Sequence, residues 1–472
     1  MTKNDTSLID GPWNVARRLF PVLGKGIRNP VWSPACVASV LEVLSVGSEG
    51  TTRDELSGFV GDGGLIGADD PYSIVSTDKW RSDDYMASLA VGLWLSTRAK
   101  PAARFTDACE RVQLCVVEAD LADPATAGAI ARWVESETHG QVSPSVTLPR
   151  DALACVVGAI YLRDAWEDSF VDANTIIGTF HAEDRDVRCA YMRGRLSSDV
   201  LESDDVLVVS LGLSAGSRLL VAVGSEGSVP DTGTALRLFE RVAREGCARE
   251  EVRLSMPRFE CEMASVDLED ALRSAGVSTA HAMELGPMVG TSPCPMALIH
   301  GARLAVDERG LEAGAYTMAA VCEAIPDPNP REVVLDRPFL IALVSQNGAP
   351  LFVGRVDTPS ENTLVWRDMV DREDYAAVDW AFAMGERYTV SDEGVDGWCR
   401  MTVEDDQPKG VFEITCKIYG SLTHTVFAPD YSEAYDKAEG MKRDLEEFVR
   451  LSEGDAPFDR TDWIRSFVER WQ

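Results

Sequence analysis

The sequence predicts an α+β protein, a large mixed domain followed by a smaller α+β one. Short runs rich in Val, Ile and Leu recur between Gly, Asp and Pro; segments with apolar residues at helical spacing alternate with them; and one sharp change of composition falls late in the chain.

Two helices are clearest. Pro34–Val46 repeats apolar positions at helical spacing after a Ser-Pro start, and Pro124–Glu137 does the same after a capping Asp123, with Ile130, Trp133 and Val134 on one stripe. Residues 153–162, 206–211, 218–223, 339–344 and 351–356 read as strands of a large sheet system. At Val356-Asp-Thr-Pro-Ser-Glu-Asn362 the last apolar run gives way to turn residues and an acidic segment, which divides the chain into domains 1–358 and 359–472. In the second domain residues 398–403, 410–417 and 422–427 read as strands and 431–451 as a surface helix with i, i+4 charge pairs. Trp380, Trp398, Phe412 and Trp463 are its expected core, and its separation suggests a docking or targeting module.

With 77 acidic against 45 basic residues the net charge is −32, which repels nucleic acid and anionic membrane, so neither is expected as a partner. The start MTKNDTSLIDGPW lacks a basic-then-apolar pattern, and the longest apolar run, about ten residues, is too short to span a bilayer. A cytoplasmic location is expected, with export by a route not visible in the sequence as the alternative. The eleven cysteines, scattered from Cys36 to Cys416 without a C-x-x-C pair or a nearby histidine couple, point to no metal and no cofactor; most read as small buried hydrophobes in a reducing compartment.

Several separated segments together resemble the serpin family, in that family's order, over roughly residues 10–358. Asn29-Pro-Val-Trp-Ser-Pro34 with Leu41-Glu-Val-Leu-Ser-Val-Gly47 and Gly50-Thr-Thr-Arg-Asp-Glu-Leu56 resembles its second helix. Trp133-Val-Glu-Ser-Glu-Thr-His-Gly140 is similar to its sheet-covering helix. Gly158-Ala-Ile-Tyr-Leu-Arg-Asp-Ala-Trp166, Phe170 and Gly178-Thr-Phe180 resemble the central strand and the tryptophan turn after it. Met256-Pro-Arg-Phe259, Arg337-Pro-Phe339 and Phe352-Val-Gly-Arg-Val356 complete the series. The resemblance implies a bacterial-type serpin with a C-terminal extension: helices around a large mixed sheet A, sheets B and C, and an exposed reactive loop at about 308–330.

Val306-Asp-Glu-Arg-Gly-Leu-Glu-Ala-Gly-Ala-Tyr-Thr-Met-Ala-Ala-Val-Cys-Glu-Ala-Ile325 resembles that loop. It carries its own physics. From Leu311 no proline occurs until Pro326, and Leu311, Ala313, Ala315, Thr317, Ala319 and Val321 alternate as a narrow inner face, so the segment can enter a sheet as a strand. Taken without the family, the same pattern also fits a fixed strand or an Ala-rich helix.

The resemblance implies an inhibitor rather than an enzyme. In that family a serine protease attacks the loop as a substrate, becomes an acyl-enzyme and is trapped when the loop inserts as a new strand into the main sheet. Counting along the hinge (Glu308, Gly310, Leu311, Glu312, Ala313, Gly314, Ala315, Thr317) puts the cut at Ala324-Ile325. A cut near Cys322 or Asp327 stays open, although Pro326, Pro328 and Pro330 argue against the latter. A small residue before the bond suits elastase-like or subtilisin-like proteases. The alternative is a non-inhibitory serpin, a carrier, chaperone or structural protein whose loop is cut without trapping. A hydrolase using a cysteine with His139 or His300 is a further rival, with no nucleophile motif behind it.

The resemblance also implies a polar latch of Ser33, Cys36, Gly158 and His300, and a breach at Trp166 where insertion begins. The family's usual Asn and Ser are replaced by Gly158 and Cys36, which implies a latch that opens more easily. Leu311 stands for the usual Thr and Tyr316 for an Ala, and the bulk of Leu311 implies slower insertion. Residues 61–84 are poor in basic side chains, which implies no heparin cofactor. A monomer is expected.

Overall fold

The computed structural model describes residues 3–61, 86–112, 114–142, 144–168, 170, 174–224, 228–294, 296–311, 330–359, 367–368, 387–395, 399–406, 409–418, 421–453 and 459–471. The chain forms two compact units, one of Met1–Phe170, Thr179–Val187 and Met192–Ser360, the other of Val171–Gly178, Arg188–Tyr191 and Glu361–Gln472.

The first unit contains helix α2 (Pro34–Val46), whose residues from Pro34 to Leu44 are all buried, as expected of a helix apolar around its circumference. Its start is set by the Ser33 hydroxyl, which accepts from the Cys36 N–H at 3.0 Å, and by Pro34, whose missing N–H costs nothing in the first turn. Helix α5 (Pro124–Glu137) begins the same way, with Asp123 accepting from the Ala125 N–H at 2.9 Å.

A six-stranded sheet lies between these helices, in the order β10 (Phe259–Asp267), β11 (Met296–Val306), β12 (Gly310–Leu311), β4 (Ala154–Ala165), β2 (Met86–Ser96), β3 (Cys115–Ala119). Alternation sorts its side chains. Cys155, Val157 and Ala159 of β4 and Ala297 and Ile299 of β11 join Ile130 and Val134 of α5 in one core cluster, where Trp94 meets Trp133 edge-on at 5.1 Å. The intervening residues face α2. There Gly158 leaves room for Cys36, whose Sγ would lie 2.3 Å from a Cβ at that position.

A nine-stranded sheet forms the rest of the core along the path β1 (Val31–Trp32), β15 (Pro350–Val356), β14 (Phe339–Val344), β8 (Arg218–Gly224), β7 (Val206–Gly212), β6 (Asp186–Ser203), β9 (Ala248–Pro257), β13 (Arg331–Val334), with β5 (Ile176–His181) paired to β6 off that path. Its central strands are buried on both faces, which is why they read as continuous apolar runs.

In the second unit β16 (Arg367–Asp368), β17 (Arg387–Val395), β18 (Cys399–Asp406), β19 (Val411–Ile418) and β20 (Leu422–Ala428) form an antiparallel meander. Met401, Ile414, Cys416 and Val426 on one face pack against Ala434, Ala438, Met441, Leu445 and Phe448 of helix α9 (Tyr431–Glu453) and Phe467 of α10 (Arg460–Arg470). The expected aromatic core is corrected. Phe412 and Trp463 are only half-buried at its margin, because the sheet supplies aliphatic side chains at the centre; Trp380 and Trp398 lie outside the described residues.

A methyl group at 158 tests the contact between sheet and helix. Gly158→Ala is expected to lower the thermal midpoint, at an overpacking cost of about 1–3 kcal/mol. Adding Cys36→Ala should restore at least about 1 kcal/mol of it in a double-mutant cycle. Strictly additive losses would contradict the contact.

Candidate functional site: an open seam in the six-stranded sheet

Strands β4 and β11 are parallel neighbours over only five pairs, from Met296 opposite Ala154 to His300 opposite Gly158. At the other end of the strands β12 lies between them, antiparallel to both, with Leu311 opposite Val306 on one side and Asp164 on the other. Between those two points no ladder joins residues 159–163 to 301–305. The seam so formed is a narrow cleft lined by Ile160, Tyr161, Leu162, Arg303, Leu304 and Ala305, with Gln141 and Val142 over it.

The upper end of the seam is built by the turn from β11 to β12. The Asp307 carboxylate accepts from the N–H groups of Arg309 (2.8 Å) and Gly310 (3.3 Å), and the Trp166 indole donates to the Asp307 carbonyl at 2.7 Å. Burial pushes the Asp307 carboxyl up, against the opposing pull of the Arg309 N–H. Gly310 sits at φ +149°, and a Cβ would come within 2.2 Å of the Asp164 carbonyl oxygen, so only glycine serves. Glu308 is 3% exposed and pairs with Arg258 at 2.7 Å, the cation a buried carboxylate requires. Leu311 is 1% exposed.

Asp164 closes this end from below. Its carboxylate, 1% exposed, accepts from the Ser214 hydroxyl at 2.6 Å and the Ala215 N–H at 3.2 Å, which ties the end of β4 to the turn between β7 and β8. Burial pushes its pKa up to about 6.

At the lower end the Ser33 N–H donates to His300 Nε2 at 3.0 Å. The imidazole is fully buried and burial lowers its pKa to about 4, so it is neutral with its proton on Nδ1, and Nδ1 has no hydrogen-bond partner among the described residues. Gly158, its register partner, has no side chain to offer. Burial pushes the Cys36 thiol up to about 12, which holds it protonated.

Of the residues that the sequence singled out, Ser33, Cys36, Gly158 and His300 meet at the lower end and Trp166, Glu308, Gly310 and Leu311 at the upper. Glu312, Ala313, Gly314, Ala315, Thr317, Ala324 and Ile325 lie outside the described residues, as does most of the 61–84 segment. Sequence reasoning missed Arg258, Asp164 and Arg303. Asp164 had a visible signal, a carboxylate inside an apolar strand run; the other two acquire meaning only from strands distant in sequence. Among the described residues no three His, Cys, Asp or Glu side chains group as metal ligands, and no helix is long and apolar enough to cross a membrane.

The family model described as Serpin (serine protease inhibitor) matches residues 13–359. The chain belongs to the serpin family. It is 26% identical over 366 residues to alpha-1-antiproteinase of Callosciurus caniceps, covering 73% of this chain and 87% of that one. With serpin B6 of Pongo abelii it shares 25% over 374 residues, covering 73% and 97%. Among solved structures, the thermophilic serpin tengpin in its native state superposes with a TM-score of 0.66 at 18% identity, over 74% of this chain and 94% of that one. Human thyroxine-binding globulin with its ligand gives 0.62 at 20%, over 76% and 99%. Most serpins are protease inhibitors rather than enzymes, and non-inhibitory members exist. The six-stranded sheet is the serpin sheet A, the nine-stranded one contains sheets B and C, and the region beyond them is an addition to the serpin fold.

The two buried titratable groups at the ends of the seam act oppositely on stability. The raised Asp164 stabilises the fold below its ordinary 3.8, and that contribution is lost as pH rises through 6; the lowered His300 contributes above 6.5, and that is lost as pH falls through 4. Each is worth about 3 kcal/mol. Acidified from pH 6.5 to 4, Asp164→Asn should lose thermal stability more steeply than the unaltered chain and His300→Gln less steeply. Parallel profiles would contradict both assignments.

Proposed function

We propose that this serpin inhibits a serine protease by offering residues 312–329 as a substrate and inserting the cut loop into the seam. The observation that carries the reading is the register of β12. The pairs of Leu311 with Val306 and Asp164 fix a register that an inserted strand would extend. Extended antiparallel to both neighbours, it would bring Glu312 beside Arg163, Ala313 between Leu162 and Leu304, Gly314 between Tyr161 and Arg303, Ala315 between Ile160 and Ala302, Tyr316 between Ala159 and Gly301, and Thr317 between Gly158 and His300.

Each pairing suits its surroundings. In that register Leu311, Ala313, Ala315 and Thr317 would share the face toward α2, where space is tight, and small side chains are what such a face admits. The bulk of Tyr316 would fall between two small neighbours, Ala159 and Gly301, on the other face. A threonine hydroxyl at 317 would supply the acceptor that His300 Nδ1 lacks, on the strand position left empty by Gly158. Each ladder bond gained adds on the order of 1 kcal/mol, so a full strand makes insertion strongly downhill and the intact form a kinetic trap.

In the reaction the protease serine Oγ attacks the Ala324 carbonyl carbon, the Ala324–Ile325 amide breaks, and the new amino terminus at Ile325 leaves with the proton that the protease histidine delivers. Ala324 stays esterified to the protease, and insertion carries it away before water reaches the ester. Alanine at this position supports an elastase-like or subtilisin-like target. The protonated state of Cys36 and the engagement of His300 Nε2 by Ser33 speak against a cysteine hydrolase.

Incubation with pancreatic elastase or subtilisin should yield an SDS-resistant complex of protease and serpin, and Ala324→Arg should move complex formation to trypsin by at least about tenfold. Cleavage without complex at every ratio would replace this reading with that of a non-inhibitory serpin.

A further inference from the structure

The short connection that follows α5 crosses the seam and is fastened to both of its lips. Thr138 closes the turn: its hydroxyl donates to the Val134 carbonyl at 2.8 Å and accepts from the Val142 N–H at 3.2 Å. His139 and Gly140 take positive φ, which reverses the chain over the sheet. On one side the His139 ring lies against Tyr161 of β4, centroids 4.8 Å apart. On the other the Arg303 guanidinium of β11 donates to the side-chain amide oxygen Oε1 of Gln141, while its Nε donates to the Glu260 carboxylate of β10 at 2.7 Å.

We propose that residues 138–142 are a strap, anchored at Tyr161 and Arg303, that holds β4 and β11 together and sets how readily the sheet opens. The proposal deepens the inhibitory reading, since strand insertion is the event the strap would pace. The lips are one strand spacing apart at Gly158 and His300 and two at Asp164 and Val306, and admitting a strand requires two along the whole length. That is a further separation of up to about 4.8 Å, whereas a hydrogen bond is lost within about 1 Å of stretch. One anchor must therefore release. The Gln141 anchor is the one that can be tuned in both directions, because Arg303 is a cation: an amide binds it as a dipole, a carboxylate would bind it as a charge, and a methyl group not at all.

Amide hydrogen exchange of the intact full-length chain at residues 156–158 and 298–300, the zipped pairs just below the strap, reads how often the lips part. Gln141→Ala should speed exchange at both lips about fivefold, the factor one net hydrogen bond carries, and His139→Ala should do the same from the other anchor. Gln141→Glu should slow it. Unchanged exchange, a change confined to residues 138–142, or the same direction for Gln141→Ala and Gln141→Glu would overturn the strap. Failure to form a protease complex, with these exchange shifts intact, would instead count against the inhibitory reading alone.

Discussion

The structure depends on one incomplete pairing. Two parallel strands, β4 and β11, are zipped for five residues and then held apart by the two residues of β12, so the middle of the main sheet has two facing edges with no strand between them among the described residues. Buried sheet edges are costly, and a neighbouring segment with the right alternation is the cheapest way to satisfy them. The surrounding features follow from keeping that seam open at one end and closed at the other. Gly310 is needed for the turn, Glu308 and Arg258 fix it, Asp164 ties β4 to the sheet below, and His300 with Ser33 closes the other end against α2.

The same features show where this chain differs from a fully satisfied interior. Among the described residues His300 Nδ1 is buried with no acceptor, and the groups that lower the pKa of the Asp164 carboxylate are hydroxyl and amide partners alone. Each lowers the stability of the intact state under some conditions, and a fold that gains by rearranging tolerates such local cost. Leu311 acts in the other direction. Already buried between β4 and β11, it has entered the sheet before any cut, so the bulk expected from sequence to slow the first step is accommodated in the intact chain, beside Asp164 and Val306.

Much of the fold was legible because local chemistry and packing agree. The Ser33-Pro34 and Asp123-Pro124 starts cap α2 and α5, and the apolar runs of β7, β8, β14 and β15 are buried on both faces. Boundaries slipped where polarity and pairing part company. The run at 153–162 continues to Ala165, because Arg163 and Asp164 interrupt the apolar pattern while the backbone goes on pairing with β2 and β12. Strand β9, with Arg249, Glu250, Glu251 and Arg253 among its ten residues, gave no strand signal, and Pro12 and Pro21 hid helix α1 (Lys3–Leu23). The latch residues were found through resemblance. The seam itself had no signal, since it is a relation between registers of strands about 140 residues apart, and the links from Arg303 to Gln141, 162 residues away, and from Asp164 to Ser214, 50 away, leave no local pattern either.

The most direct measurement is the melting temperature of the chain before and after a single cut between residues 318 and 327, with both pieces retained. Filling the seam with the freed strand predicts a rise of tens of degrees. A cut protein that melts at or below the temperature of the intact one would mean that the seam accepts no strand, and would contradict the account.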